Sequence, residues 1–357
     1  MTILGTRPEV IRLCRVISKL DERCDHVLVH TGQNYDRGLN GIFFEELGVR
    51  RPDHSLGVSG GSLGGQIGQI LERSEAVITE ERPERVLILG DTNSCLSAIM
   101  AKRMGIPVYH MEAGNRCFDD RVPEEVNRRI VDHTCDVHLP YTERSRANLL
   151  AEGLPSRDIY VIGNPIGEVI KHYQREIDDS SIMERLGLER AGYFLVTLHR
   201  AENVDDLDRL GRLIAALERV SHIHALPVII STHPRTADRL KAAGISMEGK
   251  AGLSFLPPFG FFDFVSLERA ARCVLTDSGT AQEECCILGV PSVTLRDTTE
   301  RPETVECGSN LLAGSEPDDI ARAVQIALEL PPDWIPPPEY LIDNVSDKVV
   351  RLLLSFR

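Results

Sequence analysis

The sequence predicts an α/β protein built from two Rossmann-like domains, each a doubly wound parallel sheet, with a cleft between them. Three observations carry this reading. The chain has 357 residues, 42% of them hydrophobic, which is more than one core of ordinary domain size accommodates. Short runs rich in Val, Ile and Leu alternate with amphipathic stretches, the mark of strands buried on both faces between helices. That alternation breaks once, near the middle, and then restarts.

In the first half the strand runs are TILG (2–5), HVLVH (26–30), RVLILG (85–90), PVYH (107–110), DVHLP (136–140) and DIYVIG (158–163). A polar stretch from Arg175 to Ser181 interrupts the pattern. It resumes with YFLVTLH (193–199), PVIIST (227–232), LSFL (253–256), CVLTD (273–277) and PSVTLR (291–296). The proline-dense segment Pro331–Pro338 cannot continue a helix. The amphipathic stretch 344–356 that follows is expected as a helix packing back on the first domain. The expected domains are therefore 1–170, 171–340 and a terminal helix within 341–357.

Acidic residues number 54 against 40 basic, a formal net charge of −14, which disfavours general attraction to nucleic acid or an anionic membrane surface. Any phosphate must be held by local chemistry. Of the basic residues 34 are arginine and six are lysine, and arginine grips phosphate and carboxylate in two-point geometry. The nine cysteines show neither CxxC spacing nor a zinc ligand set, so no metal is expected and the thiols are read as reduced and mostly buried. No apolar run reaches the length of a membrane span. A cytoplasmic location is the expectation.

Ligands of open α/β sheets bind beyond the carboxyl ends of the strands, and there this sequence is polar. The first strand ends in GTRPE, which sets Arg7 at a helix start suited to an anion; an ordinary turn with a surface arginine is the alternative. GDTN places Asp91 at a strand end, as a catalytic carboxylate or a helix cap. HMEAGNR places Glu112 at the same edge, and PEEVNRR adds Glu124 and Glu125 in a helical first turn, where acids also favour the dipole. Three acidic positions from separate elements at one edge point to acid and base chemistry.

In the second half TLHRAEN and STHPR each set a histidine and an arginine after neighbouring strands: His199 with Arg200, and His233 with Arg235. Two such pairs suggest a cationic wall for an anion. TDSGTAQEE is the strongest local signal, because Ser278 and Gly279 open a helix whose free amides can hold a phosphate. A glutamate one turn later can accept both hydroxyls of a ribose. A serine-capped turn is the alternative. DTTERPE adds Arg301. The Gly-rich segment 57–65 has no strand run before it and no Walker lysine after it, and is read as a mobile loop.

The ordered set GTRPE, GDTN, HMEAG, PEEVNR, LHRAEN, TDSGTAQEE and RDTTERPE resembles the non-hydrolysing UDP-N-acetylglucosamine 2-epimerase family, from Thr2 to about Gly314. HTGQNYD, LGDTNSCLSA and MEAGNRCFDDRVPEE resemble its subgroup that forms UDP-N-acetyl-L-fucosamine. The resemblance implies the GT-B fold, a homodimer, no cofactor, and anti elimination of UDP to a 2-acetamidoglucal followed by re-addition. It implies catalytic roles for Asp91, Glu112, Glu124 and His199, the histidine lying near the diphosphate. It implies substrate and UDP contacts from Arg7, Arg12, His233, Phe264, Ser278, Gly279, Glu284 and Arg301, the glutamate on the ribose.

Departures from the family pattern are Arg12 in place of a lysine and Phe259 in place of a glutamine near uracil. At the family's allosteric site Gln33 is kept and Asn34 replaces a histidine, so substrate activation is not carried over. The expected substrate pair is UDP-GlcNAc and UDP-ManNAc; a 6-deoxy sugar of the UDP-N-acetyl-L-talosamine type is the alternative. A GT-B glycosyltransferase or a hydrolysing epimerase would share the fold.

Overall fold

Short runs rich in Val, Ile and Leu give β1 (Thr2–Leu4), β2 (Leu28–His30), β4 (Val86–Leu89), β5 (Val108–Met111) and β6 (Val137–Leu139), every residue of them buried, the histidines of β2, β5 and β6 included. In the computed structural model, which describes residues 1–32, 37–250 and 252–355, they join the two-residue β3 (His54–Ser55) in a parallel sheet of order β3-β2-β1-β4-β5-β6. Gln33 and Asn34 lie outside the described residues.

The order reverses between β1 and β4. At such a switch point the loops leaving two adjacent strands diverge to opposite faces and open a crevice. Here they are the loops that carry Arg7 and Asp91.

The second sheet repeats the plan with β7 (Phe194–Leu198), β8 (Val228–Thr232), β9 (Leu253–Leu256), β10 (Cys273–Thr276), β11 (Ser292–Thr294) and β12 (Asn310–Leu312). Its order is β12-β11-β10-β7-β8-β9, again all parallel. The switch point falls between β7 and β10. Along β7 the side chains alternate between two cores. Phe194, Val196 and Leu198 pack with Leu213, Leu217 and Val220 of the helix Leu207–His224 and with Ile320 and Val324 of the helix Pro317–Glu329. Tyr193 and Leu195 face Leu267, Val274 and Cys285. A buried side chain of this kind contributes about 1.5–3 kcal/mol, so both layers hold the strand ends in register.

The chain divides into two compact units, Met1–Lys171 with Glu339–Arg357, and His172–Pro338. Within the first, the helix Val345–Leu354 buries Val345, Val349 and Leu353. It is tied down where Asp347 pairs with Lys19 at 2.8 Å and where the Ser346 N–H donates to Glu168 at 2.8 Å. No helix among the described residues is long and apolar enough to cross a membrane.

Three local differences from the sequence expectation have physical reasons. The run 158–163 is not a full strand. It forms one bridge, Ile159 to His138, and its Tyr160 and Ile162 N–H groups bond the β6 edge at 2.9 and 3.0 Å; Gly163 then turns at φ 95°. The Gly-rich segment does follow a strand, β3, whose two polar residues give no apolar signal. It leads into the helix Leu63–Glu81, where Ser62 Oγ accepts the Gly65 N–H at 3.2 Å. At the far edge β12 has only Asn310, Leu311 and Leu312, the last 41% exposed, too short and too open to read as a run.

Candidate functional site

In the first unit Thr6 is extended and Pro8 opens the helix Arg7–Asp21, with no cap bond from the Thr6 side chain. The cap comes from inside: Glu9, 1% exposed, accepts the Gly5 N–H at 3.1 Å and the Thr6 hydroxyl at 2.8 Å. It also accepts the Ser94 hydroxyl at 2.7 Å, binding the loop after β1 to the loop after β4. Burial pushes the Glu9 carboxyl up to about 7, against the pull of the Ser94, Thr6 and Gly5 donors. Arg7 lies half-buried with its guanidinium 5.4 Å from the Phe43 ring centre, and burial holds it below its ordinary value.

Asp91 is not a helix cap. The 3-10 turn Asn93–Ser97 starts after Thr92, and the Asp91 carboxylate instead meets Arg128 through Nε at 2.8 Å and a terminal nitrogen at 2.6 Å. Asn127 donates to the Asp91 carbonyl at 2.9 Å. The helix Pro123–Thr134 thus docks on the Asp91 loop through Asn127 and Arg128, and half-buried Glu124 precedes them by three and four positions, on the same helix face. Its neighbour Glu125 turns inward, accepting the Cys117 and Phe118 N–H groups at 3.0 and 3.2 Å and pairing with Arg128 at 2.7 Å.

Glu112 stands at the end of β5 in the left-handed region, φ 67°, where a residue with a Cβ is strained. The surroundings hold it there. Its carboxylate pairs with Arg12 and accepts from Asn115 at 3.3 Å. Behind it, fully buried Asp132 accepts from His110 at 2.8 Å and the Gly114 N–H at 3.1 Å, and pairs with Arg116 at 2.7 Å. Burial alone would raise the Asp132 carboxyl, but His110 and Arg116 outweigh it and hold it low. A Cβ built on Gly90, next to Asp91, would lie 3.8 Å from the Glu112 carboxylate. Asp91 and Glu112 therefore occupy adjacent strand ends, each with an arginine counterion.

In the second unit Asp277, the residue after β10, crosses the switch point. Fully buried, it accepts the His199 N–H at 3.0 Å, the Arg200 N–H at 3.0 Å and Asn203 at 3.1 Å, and its carboxylate lies 3.2 Å from His199 Nδ1. Burial opposes ionisation there, yet His199 and these donors bring its carboxyl down to about 2. His199 itself keeps 38% of its side chain exposed.

The expected cationic wall is largely neutralised. Arg200 pairs with Glu300 at 3.3 Å and Arg235 with Asp205 at 2.5 Å, while His233 Nδ1 accepts the Arg235 N–H at 3.2 Å as a helix cap. Ser278 occupies the cap position of the helix Gly279–Leu288 without spending its side chain on a cap bond, and its N–H donates to Thr276 Oγ1 at 2.9 Å. Glu300 packs so close to Gly279 that a Cβ there would fall 2.5 Å from its carboxylate and 3.6 Å from the Arg301 guanidinium carbon. Arg301 pairs with buried Glu283. Glu284 is 4% exposed and lies beside fully buried Glu268, whose carboxyl burial and the Glu284 charge push well up. Phe264 and Phe259 pack, half-buried, on the second core.

The sequence reading passed over Glu9, Asp277, Arg128 and Glu300, the side chains that orient the others. An acid in the first helical turn of GTRPE and one at the strand end in TDSG were the available signals for the first two.

The family described as UDP-N-acetylglucosamine 2-epimerase matches residues 18–354. The chain is 38% identical to the UDP-N-acetylglucosamine 2-epimerase of Methanocaldococcus jannaschii, over 98% of this chain and 97% of that one. It is 37% identical to the UDP-2,3-diacetamido-2,3-dideoxy-D-glucuronate 2-epimerase of Pseudomonas aeruginosa, over 92% of each. The crystal structure of the Methanocaldococcus jannaschii enzyme in complex with UDP-GlcNAc and UDP superposes with a TM-score of 0.94 over 99% of this chain and 98% of that one. The structure of the UDP-N-acetylglucosamine 2-epimerase from Rickettsia bellii, 42% identical, gives 0.92 over 100% of this chain and 96% of that one. The two Rossmann-like units are those of the GT-B fold class, and the chain belongs to the UDP-N-acetylglucosamine 2-epimerase family.

Proposed function

We propose that this chain is a non-hydrolysing 2-epimerase that interconverts UDP-GlcNAc and UDP-ManNAc. As a member of its family it is an isomerase. The observation that supports the site assignment most is the placement of Asp91 and Glu112 on adjacent strand ends, each beside a buried arginine.

Elimination of UDP requires stabilisation of positive charge at the anomeric carbon, and a base and an acid for the proton on the sugar's second carbon. Asp91, Glu112 and Glu124 are the carboxylates read for these tasks. Arg12 and Arg128 pair with two of them, Glu112 and Asp91. On the second unit the Ser278 hydroxyl and the Gly279 amide, with Arg301 alongside, suit a diphosphate, the Ser278 N–H being held by Thr276 Oγ1 at 2.9 Å, and Glu284 suits a ribose diol. His199, oriented by Asp277, is read as the diphosphate's neighbour. Arg7 and His233 are further anion contacts in this reading. Phe264 is the aromatic one. A homodimer is part of the proposal, and light scattering of the purified protein checks it.

Turnover in heavy water tests the chemistry. Deuterium at the second carbon of both epimers is expected, and epimers formed without label would refute the elimination route. A second sugar deserves the same assay, because identity to the Pseudomonas aeruginosa enzyme is nearly as high. Faster turnover of a UDP-2,3-diacetamido or 6-deoxy sugar would move the substrate assignment and leave the reaction unchanged.

A further inference from the structure

Cys286 and Cys307 face one another with their sulfurs 3.6 Å apart. Cys286 lies on the helix Gly279–Leu288 and is fully buried. Cys307 closes the short helix Pro302–Glu306 and is partly exposed. Its sulfur also meets Ser309 Oγ at 3.4 Å. One accessible thiol backed by one buried thiol is the arrangement of an attacking and a resolving cysteine.

We infer that Cys286 and Cys307 form a reversible, redox-active dithiol that reacts with peroxides and closes to a disulfide. The bond to the Cys286 thiol, against the cost of burial, brings Cys307 down, with Ser309 helping. A thiolate is the reactive form. Among the other thiols, burial pushes exposed Cys24 and also Cys95, Cys117, Cys135, Cys273 and Cys285 upward.

The Cys307 thiolate attacks one peroxide oxygen, breaking the O–O bond to give a sulfenic acid and hydroxide. Hydroxide takes up the proton that Cys307 had released and leaves as water. Cys286 sulfur then displaces the sulfenic hydroxyl, which departs as a second water with the Cys286 proton. Two thiols and one hydrogen peroxide become one disulfide and two waters. The sulfurs must close from 3.6 Å to about 2.0 Å. That movement draws the segment after Arg301 toward the helix that begins at Gly279. The consequence for nucleotide binding rests on the reading of that helix given above; the chemistry of the thiols does not.

The protein holds one tryptophan, Trp334, and its indole N–H donates to the Cys286 carbonyl at 3.0 Å. The reduced full-length protein is treated with hydrogen peroxide, blocked with N-ethylmaleimide and mapped without reductant. The expected result is a linked Cys286–Cys307 peptide lighter by two hydrogens, a change in Trp334 emission, and reversal of both by dithiothreitol. Cys307→Ser should abolish both changes while binding UDP as the reduced protein does. The oxidised protein should bind UDP roughly tenfold more weakly by calorimetry, since its Arg301 segment is displaced. Sulfinic acid at Cys307 with no linked peptide would overturn the dithiol. A linked peptide with unchanged UDP affinity would overturn its coupling to the helix. Failure of the reduced protein to bind UDP would overturn the nucleotide reading, and the linked peptide would still decide the thiols.

Discussion

Arg12 and Glu112 form an ion pair with side chains 3% and 5% exposed, joining the first helix of the chain to the end of β5. The Arg12 guanidinium also sits 5.8 Å from the Tyr141 ring centre. Truncating one partner of a buried pair strands the other charge, which costs about 3–5 kcal/mol. Arg12→Ala should therefore lower stability by that order in urea denaturation, and turnover should fall with it. Arg12→Lys keeps the charge and loses the planar contact with the ring, so most of the stability and activity should return. Equal stability of Arg12→Ala and wild type would show that the pair holds nothing.

Asp277 makes a pH prediction. Its carboxyl at about 2 lies below the ordinary 3.8, so the folded state binds its proton less readily than the unfolded chain. The stabilisation is complete above the unfolded value and is lost as pH falls through 3.8 toward 2, amounting to about 2 kcal/mol. Between pH 4 and 2 the wild type should lose that much more stability than Asp277→Asn. Parallel stability curves for the two would contradict the assignment.

Glu9 predicts the opposite slope. Burial raises its carboxyl from 4.5 to about 7, so the unfolded chain ionises first as pH rises. Its contribution is complete below 4.5 and is lost as pH rises toward 7, by about 3 kcal/mol. Glu9→Gln should flatten this loss between pH 5 and 8 in calorimetric melting. Because Glu9 links the Arg7 and Asp91 loops, the variant should also weaken turnover. An unchanged pH profile of stability would rule this out.

What could be read in the sequence was what repeats. The Val, Ile and Leu runs of β1, β4, β7 and β10 announce parallel strands, and strand ends bring Arg7, Asp91, Glu112, His199 and Ser278 to the sheet edges. Pairing is a different kind of information. Nothing in the spacing of Asp91 and Arg128, or of His199 and Asp277, says that they meet, because each contact joins segments brought together by the sheet order rather than by the local period. Polar edge strands such as β3 carry no hydrophobic pattern for the same reason: little is buried on them.

Gly114 tests how tightly the Glu112 loop is held. It has φ 81°, and a Cβ would fall 2.2 Å from the Ser145 carbonyl oxygen. Backbone cannot yield as a side-chain tip can, so Gly114→Ala combines strain with overpacking and should cost about 3 kcal/mol or more. Reduced soluble yield and a lowered melting temperature are expected. Wild-type melting would mean that the loop shifts freely.

The carboxylates separate chemistry from architecture. Glu124 and Glu125 are neighbours, yet Glu125 is fully buried and bonds Arg128 and two backbone N–H groups, while Glu124 is half-exposed on the face toward the Asp91 loop. Glu125→Gln should therefore appear mainly as lost stability. Asp91→Asn, Glu112→Gln and Glu124→Gln keep side-chain shape and remove the proton acceptor. Each should lower turnover by about 10²–10⁴, with UDP affinity measured by calorimetry unchanged, because none of the three is read as a nucleotide contact. If UDP affinity and turnover fall together in all three, the carboxylates bind rather than react. If turnover survives in both Asp91→Asn and Glu112→Gln, neither is a proton-transfer group. Deuterium exchange at the sugar's second carbon then assigns the order, since a variant lacking only the acid can still eliminate UDP and accumulate the glycal.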